Sequence, residues 1–409
     1  MVSVGLTRRE LLLGAAALPL FSAERTPARP SVLLILVDDL GAHMLGCYGN
    51  REIRTPNIDV LAHSGARFTR GIVASPAPAP SRATLLSGRT PRQLGIQGDG
   101  PALLSDALAA AGYECGYCGT WELGDTSPHG IKFWEKSQEP AAVSGKALEF
   151  LDSRKPGQPF FLTASYQLPA EAAGSYADLY KGVSFDTIGW EPAASNATAS
   201  KETLRDMVSA IRGAAASVTA VDAEIQRLVK RLDQRGLRDE TLIVFTATCG
   251  ALLGRHGLWG DGRASDPPNM FDEAVRVPLI WQWGRRVPPD SVRPELVRSF
   301  DLFPTLCELT GAAPPAAAAN LPGRSYGPAV VNELFPKKRP WANVGFGEYG
   351  KVRMLCDKTY KLVLRDGGPN ELYDATHDAG EKVNQYDSEH FLAVRDGLTQ
   401  RLDGWTREF

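Results

Sequence analysis

Acidic, hydroxyl and thiol side chains directly follow two long apolar runs of this sequence. Asp38 and Asp39 come after the run SVLLILV, and Thr248 and Cys249 come after the run TLIVFTA. In sheets of parallel strands, ligands and reacting groups collect at the carboxyl ends of the strands. Carboxylates there can hold a hard divalent cation, and Cys249 with either aspartate could hold a softer one. Thr248 offers a hydroxyl as a nucleophile, although the sequence positions no base beside it.

The elements that must position these side chains alternate between strand and helix. Both apolar runs are continuous and rich in β-branched residues, which is typical of strands buried on two faces. The second run follows a predicted helix whose apolar positions, from Val218 to Leu232, step by three and four. We therefore predict a mostly parallel sheet flanked by helices. Further strands are predicted at residues 113–118, 159–165 and 277–283, and further helices at residues 56–65, 81–88, 102–111, 142–153 and 301–310.

Composition and charge exclude several classes of protein. The chain has 409 residues, of which 43% are apolar and 22% are charged, so it is neither a peptide-sized module nor a disordered chain. Its formal net charge is -2, which provides no overall field to attract nucleic acid or an anionic membrane. The 6 cysteines are scattered and too sparse for a disulfide-stapled scaffold. A packed core must therefore hold this fold together.

The first 23 residues have the order of an export signal. Arg8 and Arg9 precede an apolar run from Leu11 to Phe21, which small residues close. A helix of that length rises about 16 Å, whereas the hydrocarbon core of a bilayer is roughly 30 Å thick. The segment TRRELLL resembles a bacterial twin-arginine signal. We therefore predict that residues 1–23 direct export, that the mature chain is periplasmic or extracellular in a bacterium, and that it has no membrane span.

The character of the sequence changes after the Pro- and Ala-rich residues 312–323. We predict an α/β domain over residues 24–320 and a small C-terminal subdomain over residues 325–409. Residues 170–202, which are rich in Ala, Ser and Gly, are predicted to be a surface excursion. Within the C-terminal subdomain, two antiparallel strands are predicted at residues 352–357 and 361–365, and a terminal helix at residues 391–402.

A series of segments carries a family resemblance. They are LLILVDDLG (33–41), TPNIDVLAHSGARFTRGIVASP (55–76), PSRATLLSGR (80–89), GTWELG (119–124), PFFLTASYQLP (159–169), LGRHGLWGDG (253–262), FDEAVRVPLI (271–280), SFDLFPTLCELTG (299–311) and ELYDATHDAGEKVN (371–384). In order and interval, these segments resemble the sulfatase family of the alkaline-phosphatase-like superfamily. The resemblance covers nearly the whole mature chain and implies that superfamily's α/β fold.

Cleaving a sulfate ester needs a nucleophile, cationic charge and an acid for the leaving alcohol. In the family, the nucleophile is a formylglycine made from the Cys or Ser that opens the motif C/S-x-P-S-R. Pro80, Ser81 and Arg82 match its last three places, so the nucleophile's place falls on Pro78. Proline has no oxidisable side chain, and losing the nucleophile of a covalent mechanism costs about 10⁶ in turnover. Arg82 is the retained arginine, and Ser81 is predicted to be the N-cap of the helix.

The resemblance also implies a calcium or magnesium site. In the family, two aspartates after the first strand and an Asp with Asn or His in a DNG or DHG turn hold the ion. Asp38 and Asp39 match the first pair, whereas the second pair falls on Thr248 and Cys249. Affinity for hard ions depends on the number of charged oxygen ligands, so we expect weak calcium or magnesium binding at most and no other cofactor. We favour the simpler interpretation of Cys249 as a small buried hydrophobic residue over that of a ligand to a softer metal.

The family's remaining catalytic places are altered as well. The family's GKWHLG is GTWELG here, so its Lys and His fall on Thr120 and Glu122. The lysine that follows HGLW falls on Asp261, and the histidine of P-H-x-P falls on Ala170. The groups that should attract sulfate have become neutral or acidic, and Arg82 is the cation that remains.

Two hypotheses follow from these replacements. The first is a non-catalytic, exported sulfatase-like protein whose cleft binds a sulfated glycan, a partner protein or a cation. The second is an active hydrolase of sulfate, phosphate or phosphonate esters, in which Asp38, Asp39, Arg82 and Thr248 or Cys249 are recruited differently.

Overall fold

The computed structural model describes residues 29–95, 102–168, 174–318 and 320–409. The predicted export signal, residues 1–23, lies outside these residues, as does Ala170. Within them, no helix is both long and apolar enough to cross a bilayer.

An eight-stranded sheet forms the centre of the molecule. Its strands are β1 (Ser31–Val37), β2 (Ala66–Ile72), β3 (Glu114–Gly119), β4 (Phe133–Glu135), β5 (Phe160–Tyr166), β6 (Thr241–Ala247), β7 (Arg276–Gln282) and β8 (Ser291–Arg298). They lie in the order β4-β3-β5-β1-β6-β7-β2-β8. Neighbours are parallel except at β7, which is antiparallel to both β6 and β2. The predicted mostly parallel sheet is confirmed.

Helices cover both faces of this sheet. In chain order, the helices of the described residues are α1 (Pro56–His63), α2 (Pro78–Ser87), α3 (Pro91–Gly95), α4 (Leu104–Ala110), α5 (Pro140–Ser153), α6 (Lys201–Arg205), α7 (Met207–Gln234), α8 (Asp272–Val275), α9 (Leu302–Thr310), α10 (Gly327–Val330) and α11 (Leu392–Glu408), the last of which lies on the C-terminal sheet. Successive side chains of a strand point to opposite faces. Thus Leu33 and Ile35 of β1 join one core with α1, α5 and α7, whereas Val32 and Leu34 join another with α2, α4 and α9. This double burial explains why the run is apolar throughout.

A second, antiparallel sheet forms at the C-terminal end of the chain. Its strands are β9 (Gly345–Tyr349), β10 (Val352–Cys356), β11 (Tyr360–Arg365) and β12 (Glu371–Asp374), in the order β12-β11-β10-β9. Helix α11 packs on this sheet through Leu398 and Leu402. The ring of Trp405 stacks on Phe346, with ring centroids 4.4 Å apart. The small sheet therefore has an apolar core of its own.

The predicted surface excursion is not confined to the surface, because some of its side chains are buried. Its described part, residues 174–202, sends Tyr180 and Phe185 into the core beside α7, and both side chains are fully buried. The hydroxyl of Tyr180 shares a 2.5 Å hydrogen bond with that of Thr219 on α7. Because the residues around these two aromatic side chains are mostly small or polar, the sequence does not indicate that the aromatic side chains are buried.

A buried lysine joins the small sheet to the α/β layers. The ammonium group of Lys361, on β11, contacts the carboxylates of Asp272 and Glu381 and donates to the carbonyl of Met270 at 3.1 Å. The backbone N–H of Asp272 also donates to Glu381, at 2.8 Å. Because Asp272 begins α8, which leads into β7, this ion cluster fixes the small sheet against the main one.

We predict that replacing Lys361 by Met lowers the free energy of unfolding by about 3–5 kcal/mol, because it leaves the buried carboxylate of Glu381 without its cation. Chemical denaturation followed by circular dichroism measures the loss. Lys358 is exposed on the turn before β11, and Lys358→Met should change stability by less than about 0.5 kcal/mol. Equal losses in the two variants would contradict the role given to Lys361.

Candidate functional site

The candidate site lies where adjacent parallel strands end. The backbone N–H of Asp38 donates to the carbonyl of Tyr166 at the end of β5, at 2.8 Å. The N–H of Thr248 donates to Val37 at the end of β1, at 3.1 Å. The N–H of Thr120, after β3, donates to Ser165 at 3.0 Å. The pairing of the strands therefore continues one residue further and sets the post-strand residues side by side.

Helix α2 brings Pro78 and Arg82 to this edge. Pro78 is the first helical residue, where a missing N–H costs nothing, and Ala77 is the N-cap. The prediction that Ser81 caps the helix is wrong, because the helix begins three residues earlier. The N–H of Ser81 donates to the carbonyl of Ala77, and its buried hydroxyl has no hydrogen-bond partner among the described residues.

Arg82 lies one helical turn after Pro78 and is completely buried. Its Nη2 donates to both carboxylate oxygens of Asp38, at 2.6 Å each. Its Nη1 donates to Oε2 of Glu122 at 2.6 Å and to the carbonyl of Trp121 at 3.4 Å. Burial disfavours the guanidinium charge, but Tyr117, Asp38 and Glu122 offset this and raise the pKa of Arg82. The guanidinium is therefore held between two carboxylates.

Asp38 is enclosed by its partners in turn. The hydroxyl of Thr248 donates to Oδ1 of Asp38 at 2.6 Å. Burial raises the pKa of Asp38, while the Arg82 charge and the Thr248 hydroxyl act in the opposite direction. Thr248, the family's ligand position, thus serves as a hydrogen-bond donor to a carboxylate that already has a cation.

Two acidic residues of the site adopt a backbone conformation that side chains disfavour. The φ angle is 59° at Asp39 and 55° at Glu122, in the left-handed region. Each such residue costs about 1–3 kcal/mol and persists where its surroundings impose it. At Glu122, this conformation accompanies the contact with Arg82, although the side chain is 41% exposed.

A second group of side chains gathers around Asp39. The thiol of Cys249 donates to Oδ1 of Asp39 at 3.2 Å. One ligand atom each of Asp39, Cys249 and Asp261 lie within 4.8 Å of one another. Burial, and then the charge of Asp261, raises the pKa of Asp39 to about 7. Burial and the two carboxylates also raise the pKa of Cys249 well above its ordinary value.

The residues of the predicted site therefore fall into two groups. Asp38, Arg82, Glu122 and Thr248 form one, and Asp39, Cys249 and Asp261 form the other. Thr120 is buried near the first group, and its carbonyl accepts the Tyr117 hydroxyl at 2.5 Å.

Sequence reasoning missed two residues of the site. Arg263 donates to Asp261 with Nη2 at 2.6 Å and with its backbone N–H at 2.8 Å. In the sequence, Arg263 stands two residues after Asp261, and this spacing was the signal that could have revealed their ion pair. Tyr117, on β3, lies beside Arg82, and nothing in its strand distinguished it from a core aromatic residue.

These residues do not fit the hard divalent cation of the family. Both oxygens of Asp38 accept from Arg82, and Thr248 donates its proton to the same carboxylate. Cys249 offers sulfur where calcium and magnesium need oxygen.

The fold agrees with comparisons to known proteins. The family model described as sulfatase matches residues 30–312, well over half of the chain. This chain belongs to the sulfatase family. A second model, the C-terminal region of N-sulphoglucosamine sulphohydrolase, matches residues 254–408. The predicted family is confirmed.

The similar members of the family include enzymes of sulfated glycans. An ulvan-active sulfatase of Formosa agariphila is 24% identical over 93% of this chain and 80% of its own length. An N-acetylglucosamine-6-O-sulfatase of Bacteroides thetaiotaomicron is 23% identical over 98% and 91%, respectively.

Solved structures show the same fold. One, in complex with its substrate D-glucosamine-2-N,6-O-disulfate, has a TM-score of 0.81 at 21% identity and covers 93% of this chain and 98% of its own. The phosphonate monoester hydrolase of Agrobacterium radiobacter has a TM-score of 0.75 at 19% identity and covers 93% and 96%.

The pairing of Arg82 with Asp38 predicts a specific pattern of stability. Arg82→Met should lower the free energy of unfolding by about 3–5 kcal/mol at neutral pH, because it leaves a buried carboxylate without its cation. The double variant with Asp38→Asn should recover most of that loss. Denaturant titrations of the wild type, both single variants and the double variant measure this coupling.

The exposed Arg51 provides the control, and Arg51→Met should leave stability nearly unchanged. Losses that simply add in the double variant would show that Arg82 and Asp38 do not depend on each other.

Proposed function

We propose that this chain is a non-catalytic member of the sulfatase family. The observation that carries the proposal is the state of Arg82, whose two terminal nitrogens are both engaged by carboxylates inside a closed network. Pro78 stands at the place of the family's nucleophile and supplies neither an aldehyde precursor nor a hydroxyl. The cation and the nucleophile that sulfate transfer needs are thus lost together.

Electrostatics supports the same conclusion. The single charge of Arg82 faces Asp38 and Glu122, while Asp39 and Asp261 lie in the adjacent group. At about 4 Å and an effective dielectric constant of about 20, each unit charge contributes about 4 kcal/mol. A sulfate ester entering this edge would meet net repulsion from the carboxylates.

A direct assay tests the proposal. We expect the purified mature protein to hydrolyse aryl sulfate and aryl phosphate esters no faster than the uncatalysed background, because it lacks a nucleophile. The Arg82→Ala variant should give the same baseline. Turnover well above background in the wild type that vanishes in Arg82→Ala would refute the non-catalytic assignment.

A second candidate function is an ester hydrolase with a rearranged site. The observation that favours it is the Asp39 carboxyl, whose pKa is raised to about 7 by burial and by Asp261, within the range of a general acid or base. Thr248 would then be the hydroxyl nucleophile. Against this reading, the Thr248 hydroxyl donates to Asp38, which is neutralised by Arg82, and not to Asp39.

The ligand class that we propose is a sulfated glycan or a protein partner, and the sulfate groups of such a glycan would have to lie away from the acidic edge that repels them. This proposal is supported by similar members of the family, which include an ulvan-active sulfatase and an N-acetylglucosamine-6-O-sulfatase. A non-catalytic relative that keeps the fold can retain recognition of a glycan after the reaction centre has been replaced.

We also propose that the chain is exported, on the strength of the paired arginines before the short apolar run. Replacing Arg8 and Arg9 by Lys preserves the charge but removes the twin-arginine feature. We expect the double variant to remain in the cytoplasm at its uncleaved length, as judged by cell fractionation and mass spectrometry. Replacing Arg25 and Arg29, beyond the apolar run, is the control and should leave export unchanged. Normal export of the Arg8/Arg9 variant would contradict twin-arginine transport.

A further inference from the structure

We infer that a basic cleft at the amino ends of the central strands binds a sulfate group of a sulfated saccharide. The arginines Arg29, Arg154 and Arg235 line this cleft together with Glu240. The assignment of this ligand rests on the proposed function, in which a non-catalytic chain recognises a sulfated glycan. The basic cleft gives the anionic part of such a glycan a place away from the acidic edge.

The basic cleft lies at the edge of the sheet opposite to Asp38. Its lining includes Ser31, with which β1 begins, Pro159, directly before β5, and Glu240, directly before β6. Because these strands are parallel, their amino ends meet at one edge. At about 3.3 Å per residue, β1 separates this edge from Asp38 by about 20 Å, well beyond the screening length of about 8 Å in physiological salt. A sulfate group bound there is therefore remote from the carboxylates that would repel it.

The size of the basic cleft suits a saccharide unit. Its volume is about 730 Å³. Sites for small molecules typically have volumes of roughly 300–1,000 Å³. Besides the arginines, the lining includes Ala111 and Gly112, after α4, and the segment 156–159 between α5 and β5. A sulfated monosaccharide therefore fits between these loops.

Arg154 is the residue on which the inference depends. Its side chain is only 8% exposed, yet its hydrogen bonds within the described residues go to backbone carbonyls and not to a carboxylate. Nη1 donates to the carbonyls of Lys155 and Gln158 at 3.5 Å and 3.4 Å, and the buried Nε has no hydrogen-bond partner in the described chain. A buried cation with unused donors is stabilised by an anion that accepts from them.

The charges around Arg154 leave it short of negative charge. Burial, and then the charge of Arg235, lowers the pKa of Arg154, and the carboxylates of Glu114 and Glu240 offset this only in part. Placing an anion in the basic cleft would reverse that imbalance.

The other two arginines of the basic cleft can also contribute. Arg29 is exposed and donates to the carbonyl of Ala111 at 2.8 Å. Arg235 shares the carboxylate of Asp152 with Arg231, so two guanidinium groups contact one acid. The planar guanidinium fork matches paired oxygens on a tetrahedral oxyanion such as phosphate, and a sulfate ester presents the same arrangement of oxygens.

A purely structural role would explain part of this arrangement. Arg154 and Arg235 directly follow α5 and α7, and a cation stabilises the carboxyl end of a helix. Such a role does not account for the unpartnered Nε of Arg154. It also predicts that replacing these arginines changes stability without changing the binding of anions.

Calorimetric titration of the full mature protein with small saccharides tests the basic cleft. We expect D-glucosamine-2-N,6-O-disulfate to bind, unsulfated N-acetylglucosamine not to bind, and inorganic sulfate to compete more weakly than the disulfate. Binding should weaken as salt is added, because the contact is between charges. Arg154→Gln should weaken binding of the disulfate at least about tenfold. Arg154→Lys, which keeps the charge but not the fork, should lose less.

Further variants make the outcome specific. Arg235→Gln should also weaken binding, and it tests the basic cleft even if Arg154→Gln fails to fold, as judged by circular dichroism. Glu240→Gln removes a carboxylate from the lining and should tighten binding at least about twofold, an effect that a purely structural role of the arginines would not produce. Arg51 is exposed outside the lining, and Arg51→Gln should bind the disulfate as the wild type does.

Four results would overturn the inference. They are no binding of the disulfate by the wild type, equal binding of the unsulfated sugar, binding of inorganic sulfate alone, or unchanged affinity in folded Arg154→Gln and Arg235→Gln. Hydrolysis of the disulfate would instead refute the non-catalytic function and leave the basic cleft standing. Absence of binding without hydrolysis would refute the basic cleft alone.

Discussion

The pairing of Arg82 with Asp38 is the interaction on which the site depends. A guanidinium that is fully buried must be matched by carboxylates, because an unpaired charge inside a protein costs several kcal/mol. Asp38, directly after β1, accepts two hydrogen bonds from Arg82, and Glu122, after β3, accepts a third. The pair therefore ties α2 to the sheet and accounts for the engagement of Thr248 with Asp38. Arg82 thus completes an internal network of charged groups.

The scaffold around this network is held together mainly by apolar cores to which the charged residues do not belong. The strands that carry the site are apolar throughout and are buried against helices on both faces. Residues that follow a strand contribute little to these cores, so their identity can change while the sheet remains. The C-terminal sheet is held independently, by its own apolar cluster and by Lys361 against α8. Fold and chemistry are thus separable in this molecule.

The sequence predicts the centre of the fold better than its margins. Strands β1 and β6 occur at the predicted residues, because an uninterrupted apolar run has few other uses in a soluble domain. Strands β2 and β8 escaped prediction because arginines such as Arg67 and Arg293 interrupt their apolar pattern. Strand β2 pairs with β7 and with β8, whose residues lie more than 200 positions away along the chain, and no local pattern reveals such pairing.

For the site, the sequence predicts which residues gather but not how they pair. Asp38, Arg82 and Glu122 were expected at one edge from the family resemblance, yet nothing local shows that Arg82 bonds to both acids at once. Such a pairing requires the burial of Arg82 and the approach of α2 to the ends of two strands. Asp261 was expected only as a replaced lysine, and its proximity to Cys249 arises from the fold of the segment after β6. The second group of the site is therefore recognised only from the distances between its residues in the folded chain.

The two groups have opposite electrostatic characters, and their contrast determines what this edge can bind. Around Arg82, opposite charges meet at hydrogen-bond distance and the network is closed. Around Asp39, two carboxylates and a thiol face each other; Arg263 bonds directly to Asp261, and its charge also acts on Asp39. The repulsion that remains is visible in Asp39, whose pKa is raised to about 7 by burial and by Asp261. The unbalanced negative charge of this edge therefore lies around Asp39, whereas the charges around Arg82 are matched by direct ion pairs.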